Sequence, residues 1–287
     1  MNCFRFGTLK EDELTSLAQQ FATMTPFPHV VIPDVVLVPP EQVLPALPAL
    51  NHPGWHQHAD AYEANKMTFN DVTLMTEPIA SMLRELNSPA FLQFLERVTG
   101  ITGLLTDPYL QGAGLHLTRP GGLCAPHIDN HINERLNIFR RLNTLIYLNP
   151  GWEESFGGSL ELYDHKERLA ITRTVVPTWG TCVIFRSDGS SIHGFSRPIV
   201  ANHTRRTMAV YYYTSLDAAR FSGAPMTLWS EHDRYWGLTG GGRVARMAQM
   251  HLYRSLRFGS KALAYLAHQA RPRKSTATVE SRAAVRS

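Results

Sequence analysis

Between Leu104 and Thr214 the chain is cut by Gly, Pro and Asn into short runs rich in β-branched and aromatic residues. They are Gly114–Arg119, Asn143–Leu148, Ser159–Tyr163, Thr172–Val176, Thr181–Phe185 and Arg205–Thr214. Stretches this short are poor helices, and several strands at this spacing predict a sandwich or jelly roll. The flanks differ. Glu11 to Met24 carries apolar residues at helical spacing and is stopped by Pro26-Phe27-Pro28. His29 to Val38 reads as a strand interrupted by Pro33. Pro78–Leu86 and Pro89–Val98 read as helices that each open on Pro, the second with Ser88 as its cap and Gly100 past its end. Arg243 to Leu266 is the clearest helix of the C-terminal part. The expected organisation is a mainly helical support region (1–110), a β core (111–216), a helical extension (217–270) and a basic tail (271–287).

Composition narrows the class. A chain of 287 residues, 44% apolar, can bury a sizeable core. No segment reaches the roughly 18 consecutive apolar residues that a membrane span needs. The start, Met1-Asn2-Cys3-Phe4-Arg5-Phe6, lacks an apolar secretory stretch. Cys3, Cys124 and Cys182 are odd in number and widely spaced, which fits a reducing cytoplasm better than a disulfide framework. Eight Lys or Arg against the single acid Glu280 fall between Met250 and Ser287, so the overall charge of +4 resides in that terminal segment. From Arg271 onward nothing is available to bury, and a disordered, solubilising tail is expected. Contact of this tail with nucleic acid or an anionic surface is the alternative.

Within the β-rich region stands His127-Ile128-Asp129, with His193 far downstream and Arg205 a dozen residues beyond it. Residues two apart on a strand project to one side, so His127 and Asp129 can face one ion. With His193 from a partner strand they would hold three adjacent corners of an octahedral Fe(II), leaving three corners free. An arginine beyond the last ligand suits the far carboxylate of a dicarboxylate. A second His-x-Asp, His58-Ala59-Asp60, with His56 also forming a His-x-His, lies in the region assigned to helical support and reads as a solvated loop.

From about Leu115 to Thr214 this constellation resembles the prolyl-4-hydroxylase-like branch of the 2-oxoglutarate/Fe(II)-dependent dioxygenases. The stretch Arg140-Arg141-Leu142-Asn143-Thr144-Leu145-Ile146-Tyr147-Leu148-Asn149-Pro150-Gly151-Trp152 is similar to that of bacterial members, and Pro26-Phe27-Pro28-His29 and Asp107-Pro108 to their N-terminal part. The resemblance implies an α+β fold built on a double-stranded β-helix, a distorted, cupin-like jelly roll with supporting N- and C-terminal helices. It implies Fe(II) on His127, Asp129 and His193, 2-oxoglutarate as co-substrate, O2, and ascorbate as a candidate reductant. The family's carboxylate-binding basic residue opens a strand, with a small residue at +2 and an aromatic at +6. Arg205 with Thr207 and Tyr211 fits that register better than Arg206 with Met208 and Tyr212, although a slip of one residue would exchange them. Tyr147 matches a tyrosine that bonds the same carboxylate, with a core aromatic as its bland reading. Asn143 shares its face.

The implied reaction is hydroxylation of an unactivated C–H bond, with release of succinate and CO2; with Asp129 present, no corner is left for a halide. The substrate class expected is a small molecule, amino acid or peptide-like compound. The alternatives are a protein or nucleic-acid target, or a non-catalytic metal-binding β-barrel. His116 is a structural histidine or a cavity residue. Trp55, Tyr62 and Lys66 are packing residues or substrate contacts. Gly121-Gly122 and Gly157-Gly158 read as turns with positive φ, and Gly240-Gly241-Gly242 as a hinge. Nothing in the core names the substrate, and oligomeric state is not encoded in any motif.

Overall fold

The computed structural model describes residues 2–58, 62–164 and 170–215, together with Leu228–Trp229 and Ser255. The chain divides into two units, Met1–Tyr235 and Trp236–Ser287, and the description concerns the first. The helix expected over 243–266, the glycine run at 240–242 and the tail at 271–287 lie outside the described residues, as do Ala59 and Asp60. No helix among the described residues is long and apolar enough to cross a membrane.

Four helices precede the β core: α1 (Glu11–Thr23), α2 (Pro40–Val43), α3 (Glu77–Leu86) and α4 (Pro89–Thr99). The Ser88 hydroxyl accepts from the Phe91 amide, and Gly100 closes α4 in the left-handed region at φ 69°. Both ends match the caps read from sequence. The strands are β1 (His29–Ile32), β2 (His56–His58), β3 (Glu63–Phe69), β4 (Leu105–Thr106), β5 (Gly114–Ile128), β6 (Ile132–Asn133) and β7 (Ile138–Tyr147). They continue with β8 (Leu160–Asp164), β9 (Ala170–Val175), β10 (Cys182–Arg186), β11 (His193–Phe195), β12 (Arg205–Ser215) and β13 (Leu228–Trp229). One antiparallel sheet runs β1-β10-β7-β12-β5-β11-β8-β9 and curls on itself. The fold is a double-stranded β-helix with helices against one face.

The curl originates in β5. The run expected to end at Arg119 is the first half of a 15-residue strand. Its first half pairs with β12 (Thr118 opposite Arg205), and its second with β11 (His127 opposite His193). Between them, Arg119 to Gly122 bulge out against the single residue Asn65 of β3, whose neighbours pair with Leu123 and Thr118. Gly121 sits at φ 74°, and the Asn65 side chain donates to the Pro120 carbonyl at 2.9 Å. Gly122 serves by close approach and not by positive φ: a Cβ there would meet Thr118 Cγ2 at 2.3 Å. Gly157 and Gly158 both have positive φ, as expected.

Alternation then divides the side chains. Leu142 and Ile146 of β7, Ile184 of β10, and Met208, Val210 and Tyr212 of β12 pack with Ile79, Met82 and Leu83 of α3 and with Phe91 and Leu95 of α4. Truncating one such fully buried leucine costs about 2–5 kcal/mol. The opposite face of the same strands turns inward, and there the polar residues collect.

Candidate metal and co-substrate site

Because β11 pairs with β5, His193 lies directly across from His127, and Asp129 follows one residue past the end of β5. The ring planes tilt at 46° with centroids 4.5 Å apart. His127 Nε2 is 3.4 Å from Asp129 Oδ1, and His193 Nε2 is 3.7 Å from Oδ2. Adjacent corners of an octahedron with bonds of ~2.1 Å lie ~3.0 Å apart, so these separations are close to those of a loaded site. All three ligand atoms lie within 4.8 Å of one another.

The tautomers fit as well. His127 Nδ1 donates to the Ala125 carbonyl at 2.9 Å, and His193 Nδ1 to the Ser191 carbonyl at 3.0 Å. A carbonyl can only accept, so each Nδ1 carries a hydrogen and each Nε2 is the nitrogen turned toward Asp129. Burial, then the neighbouring His127, pushes His193 down to about 4. Burial opposes charge on His127, but the Cys124 sulfur and Asp129 hold it well above the ordinary imidazole value. Burial also opposes charge on Asp129, yet Arg140 and the imidazoles hold it well below the carboxylate range. A proton thus occupies the place for which a cation would compete. Asp129 Oδ2 meets Arg140 Nη1 at 3.1 Å and accepts from Asn143 Nδ2 at 2.5 Å.

The cluster opens into a cavity of about 310 Å³. Arg205, 5% exposed, reaches into it, whereas Arg206 turns away and donates to the Thr204 carbonyl. Arg205 Nε donates to the Gly158 carbonyl at 2.8 Å and Nη1 to Thr207 Oγ1 at 2.9 Å. Its guanidinium lies 4.5 Å from the Phe195 ring centroid and 4.9 Å from that of Tyr147. It forms no ion pair with a carboxylate among the described residues. An arginine so placed is costly unless an anion joins it. Tyr147 is fully buried behind it, its hydroxyl without a well-formed hydrogen bond, and burial pushes that hydroxyl up to about 12. An arginine without a carboxylate partner among the described residues, backed by a buried tyrosine hydroxyl, fits a dicarboxylate whose near end reaches the metal ligands.

The opposite wall was only partly foreseen. His56–His58 is a strand, not a helix or a solvated loop, and His58 lines the cavity. Of Trp55, Tyr62 and Lys66, only Lys66 lines it; Trp55 packs on Phe69 and Tyr62 is buried in the core. Lys66 Nζ donates to Glu63 Oε1 at 2.5 Å. Burial works against the Glu63 charge, but Lys66 holds it at about 2. His116 does face the cavity, donating from Nε2 to the Gly112 carbonyl, and burial with Lys66 pushes it down to about 3. Arg140, Tyr211 and Tyr213 also line it. No site role was read for Arg140 or Glu63; the Arg140-Arg141 pair was the available signal, and alternation alone selects the wrong member.

Residues 113–214 match the profile of the 2OG-Fe(II) oxygenase superfamily. That region holds most of the curled sheet and all of the His-Asp-His cluster, and it is the part of the chain that is of the 2-oxoglutarate/Fe(II) oxygenase kind, a superfamily that uses Fe(II) and 2-oxoglutarate with O2. Over 195 residues it is 27% identical to mouse prolyl 3-hydroxylase OGFOD1, an alignment covering 66% of this chain and 33% of that protein. Over 77 residues it is 31% identical to the Xenopus laevis protein of the same name, covering 26% and 15%. The chain therefore spans about a third or less of the curated relatives it matches. A crystal structure of the epimerase SnoN with Fe3+, alpha ketoglutarate and nogalamycin RO superimposes with a TM-score of 0.51 at 16% identity, covering 81% of this chain and 98% of that one. That likeness concerns the fold.

Proposed function

We propose that this protein is an Fe(II)- and 2-oxoglutarate-dependent dioxygenase that hydroxylates a C–H bond of a prolyl residue in a peptide-like or protein substrate. The observation that carries the reading is the convergence of His127, Asp129 and His193 in one cavity with an arginine, Arg205, that has no carboxylate partner among the described residues. The similarity to proteins named prolyl 3-hydroxylase supports the substrate class over a free small molecule or amino acid.

His127, Asp129 and His193 would hold Fe(II). Arg205, with Thr207 and Tyr147, would hold the far carboxylate of 2-oxoglutarate in a bidentate, charge-assisted contact. Together with O2, the metal and co-substrate supply the oxidising chemistry, with succinate and CO2 as co-products. The protein's own part is orientation and exclusion of water. Phe185 packs 4.7 Å from the His193 ring, and Leu145, Leu160 and Phe195 line the cavity with apolar surface. The wall of Glu63, Lys66 and His58 faces the remaining space, where a substrate bearing both a donor and an acceptor, as an amide does, finds complementary groups. Ascorbate as reductant and a cytoplasmic setting belong to the same reading.

Anaerobic addition of Fe(II) and 2-oxoglutarate is expected to give a weak visible charge-transfer band in the wild type and none in His193→Ala. Oxygenation with a proline-containing peptide should yield succinate and a product heavier by one oxygen atom in equal amounts. Equal spectra in wild type and variant reject the site. An intact band with oxidation of free amino acids only, across a peptide library, rejects the substrate class.

A further inference from the structure

β7 carries an irregularity that alters its face. On the β12–β7 ladder Tyr211 pairs with Asn143 and Tyr212 with Leu142, but Tyr213 pairs with Arg140. Arg141 is the extra residue. Strict alternation from the inward Asn143 would bring Arg141 into the cavity and Arg140 out of it; the bulge reverses this. Arg140 is 8% exposed, lies over the Tyr211 ring at 3.8 Å and reaches Asp129 Oδ2. Asn143, 1% exposed, donates to the same oxygen. Two buried donors from one strand therefore converge on one oxygen of the metal-ligating carboxylate and on neither imidazole.

That asymmetry bears on coordination number. A carboxylate beside a metal can bind through one oxygen or both. If Asp129 bound through both, the three residues would fill four of six corners. 2-Oxoglutarate would take the other two, and none would remain for dioxygen. Both oxygens lie near the imidazoles, Oδ1 3.4 Å from His127 Nε2 and Oδ2 3.7 Å from His193 Nε2, but only Oδ2 is engaged by Arg140 and Asn143. With its lone pairs so occupied, Oδ1 is the oxygen left to a metal, and three corners stay open. We infer that Arg140 and Asn143 are positioning residues that hold Asp129 as a one-oxygen ligand and thereby keep the dioxygen corner vacant. Asn143, placed by sequence among the co-substrate residues, lines the cavity and makes this contact. The inference rests on the proposed Fe(II)/2-oxoglutarate reading.

The test needs neither substrate nor turnover. Mn(II) takes the same octahedral oxygen and nitrogen ligands, and the waters on its open corners are counted by water-proton relaxation of the fully loaded protein. Wild type is expected to show three such waters, falling to one when 2-oxoglutarate chelates. Arg140→Met and Asn143→Ala are each expected to lose about one of the three, a fall of about a third in bound-metal relaxivity. Arg141→Met removes the same charge from the same strand and should retain three. Three waters in both Arg140→Met and Asn143→Ala overturn the inference; so does an equal loss in Arg141→Met. Should Arg140→Met fail to fold, Asn143→Ala decides alone. If wild type binds no Mn(II), or 2-oxoglutarate displaces no water from it, the proposed function fails instead.

Discussion

Arg205→Met separates the co-substrate role of this arginine from a structural one. In the wild type the guanidinium is buried, donates to the Gly158 carbonyl and Thr207, and has no carboxylate partner among the described residues. Loss of a buried, hydrogen-bonded charge from a carboxylate contact costs about 2–5 kcal/mol or more in binding. The Tyr147 hydroxyl remains to meet the ligand, so a value of about 3–4 kcal/mol is expected. At about 1.4 kcal/mol per tenfold, that is roughly a 140- to 700-fold rise in Kd for 2-oxoglutarate. Stability without ligand should change far less. The two lost hydrogen bonds, about 1 kcal/mol each, are offset by release from burying an uncompensated charge. Anaerobic calorimetry on the Mn(II)-loaded protein measures the binding, and thermal unfolding the stability. Arg206→Met, whose side chain points away from the cavity, is the control and should stay within about twofold. Refutation would be an Arg205→Met protein that binds 2-oxoglutarate within threefold of wild type, or an Arg206→Met protein that weakens instead.

Metal uptake should depend on pH. His127 is held well above the ordinary imidazole value in the metal-free site, so it must give up a proton to become a ligand. Apparent Mn(II) affinity is expected to fall tenfold per unit as pH drops below that pKa, with about one proton released per metal bound; a flat profile between pH 6 and 8 contradicts this. Glu63→Gln leaves Lys66 buried without its counter-charge and should cost about 3–5 kcal/mol in urea unfolding. The folded pKa of Glu63, about 2, lies below the usual 4.5. The contribution is therefore full above the unfolded value and is lost as pH falls toward 2, and the gap between variant and wild type must close in that window. Gly158→Ala should weaken 2-oxoglutarate binding without touching metal affinity. Its backbone sits at φ 68° and a Cβ would press on Ile199 and on Arg205 Cδ, at 2.4 and 3.0 Å. Unchanged Kd for the co-substrate removes that claim.

Several elements were legible because their determinants are local. α4 announces itself through Ser88, Pro89 and Gly100, all within one helix. The β core is visible because β-branched runs and turn residues alternate along the chain. Arg205 could be favoured over Arg206 because the register that the resemblance implies, a small residue at +2 and an aromatic at +6, is met by Thr207 and Tyr211 and not by Met208 and Tyr212. Expectations faltered where a cross-strand partner was needed. The strand at His56–His58 exists because it pairs with β3, and Lys66 faces inward because β3 closes against β5, a pairing over some fifty residues that no local pattern carries.

The chain's own residues were sufficient to single out the pair His127 and Asp129, the strand that opens on Arg205, and the caps of α4. Each depends on spacing within a few residues, which backbone geometry converts directly into direction. What only the tertiary structure decided are the 4.5 Å approach of His127 to His193, the bend at Gly121 that lets one strand serve both halves of the curled sheet, and the choice of Arg140 over Arg141 beside Asp129. A bulge changes the parity of everything beyond it, and its position is set by the partner strand and the packing beneath.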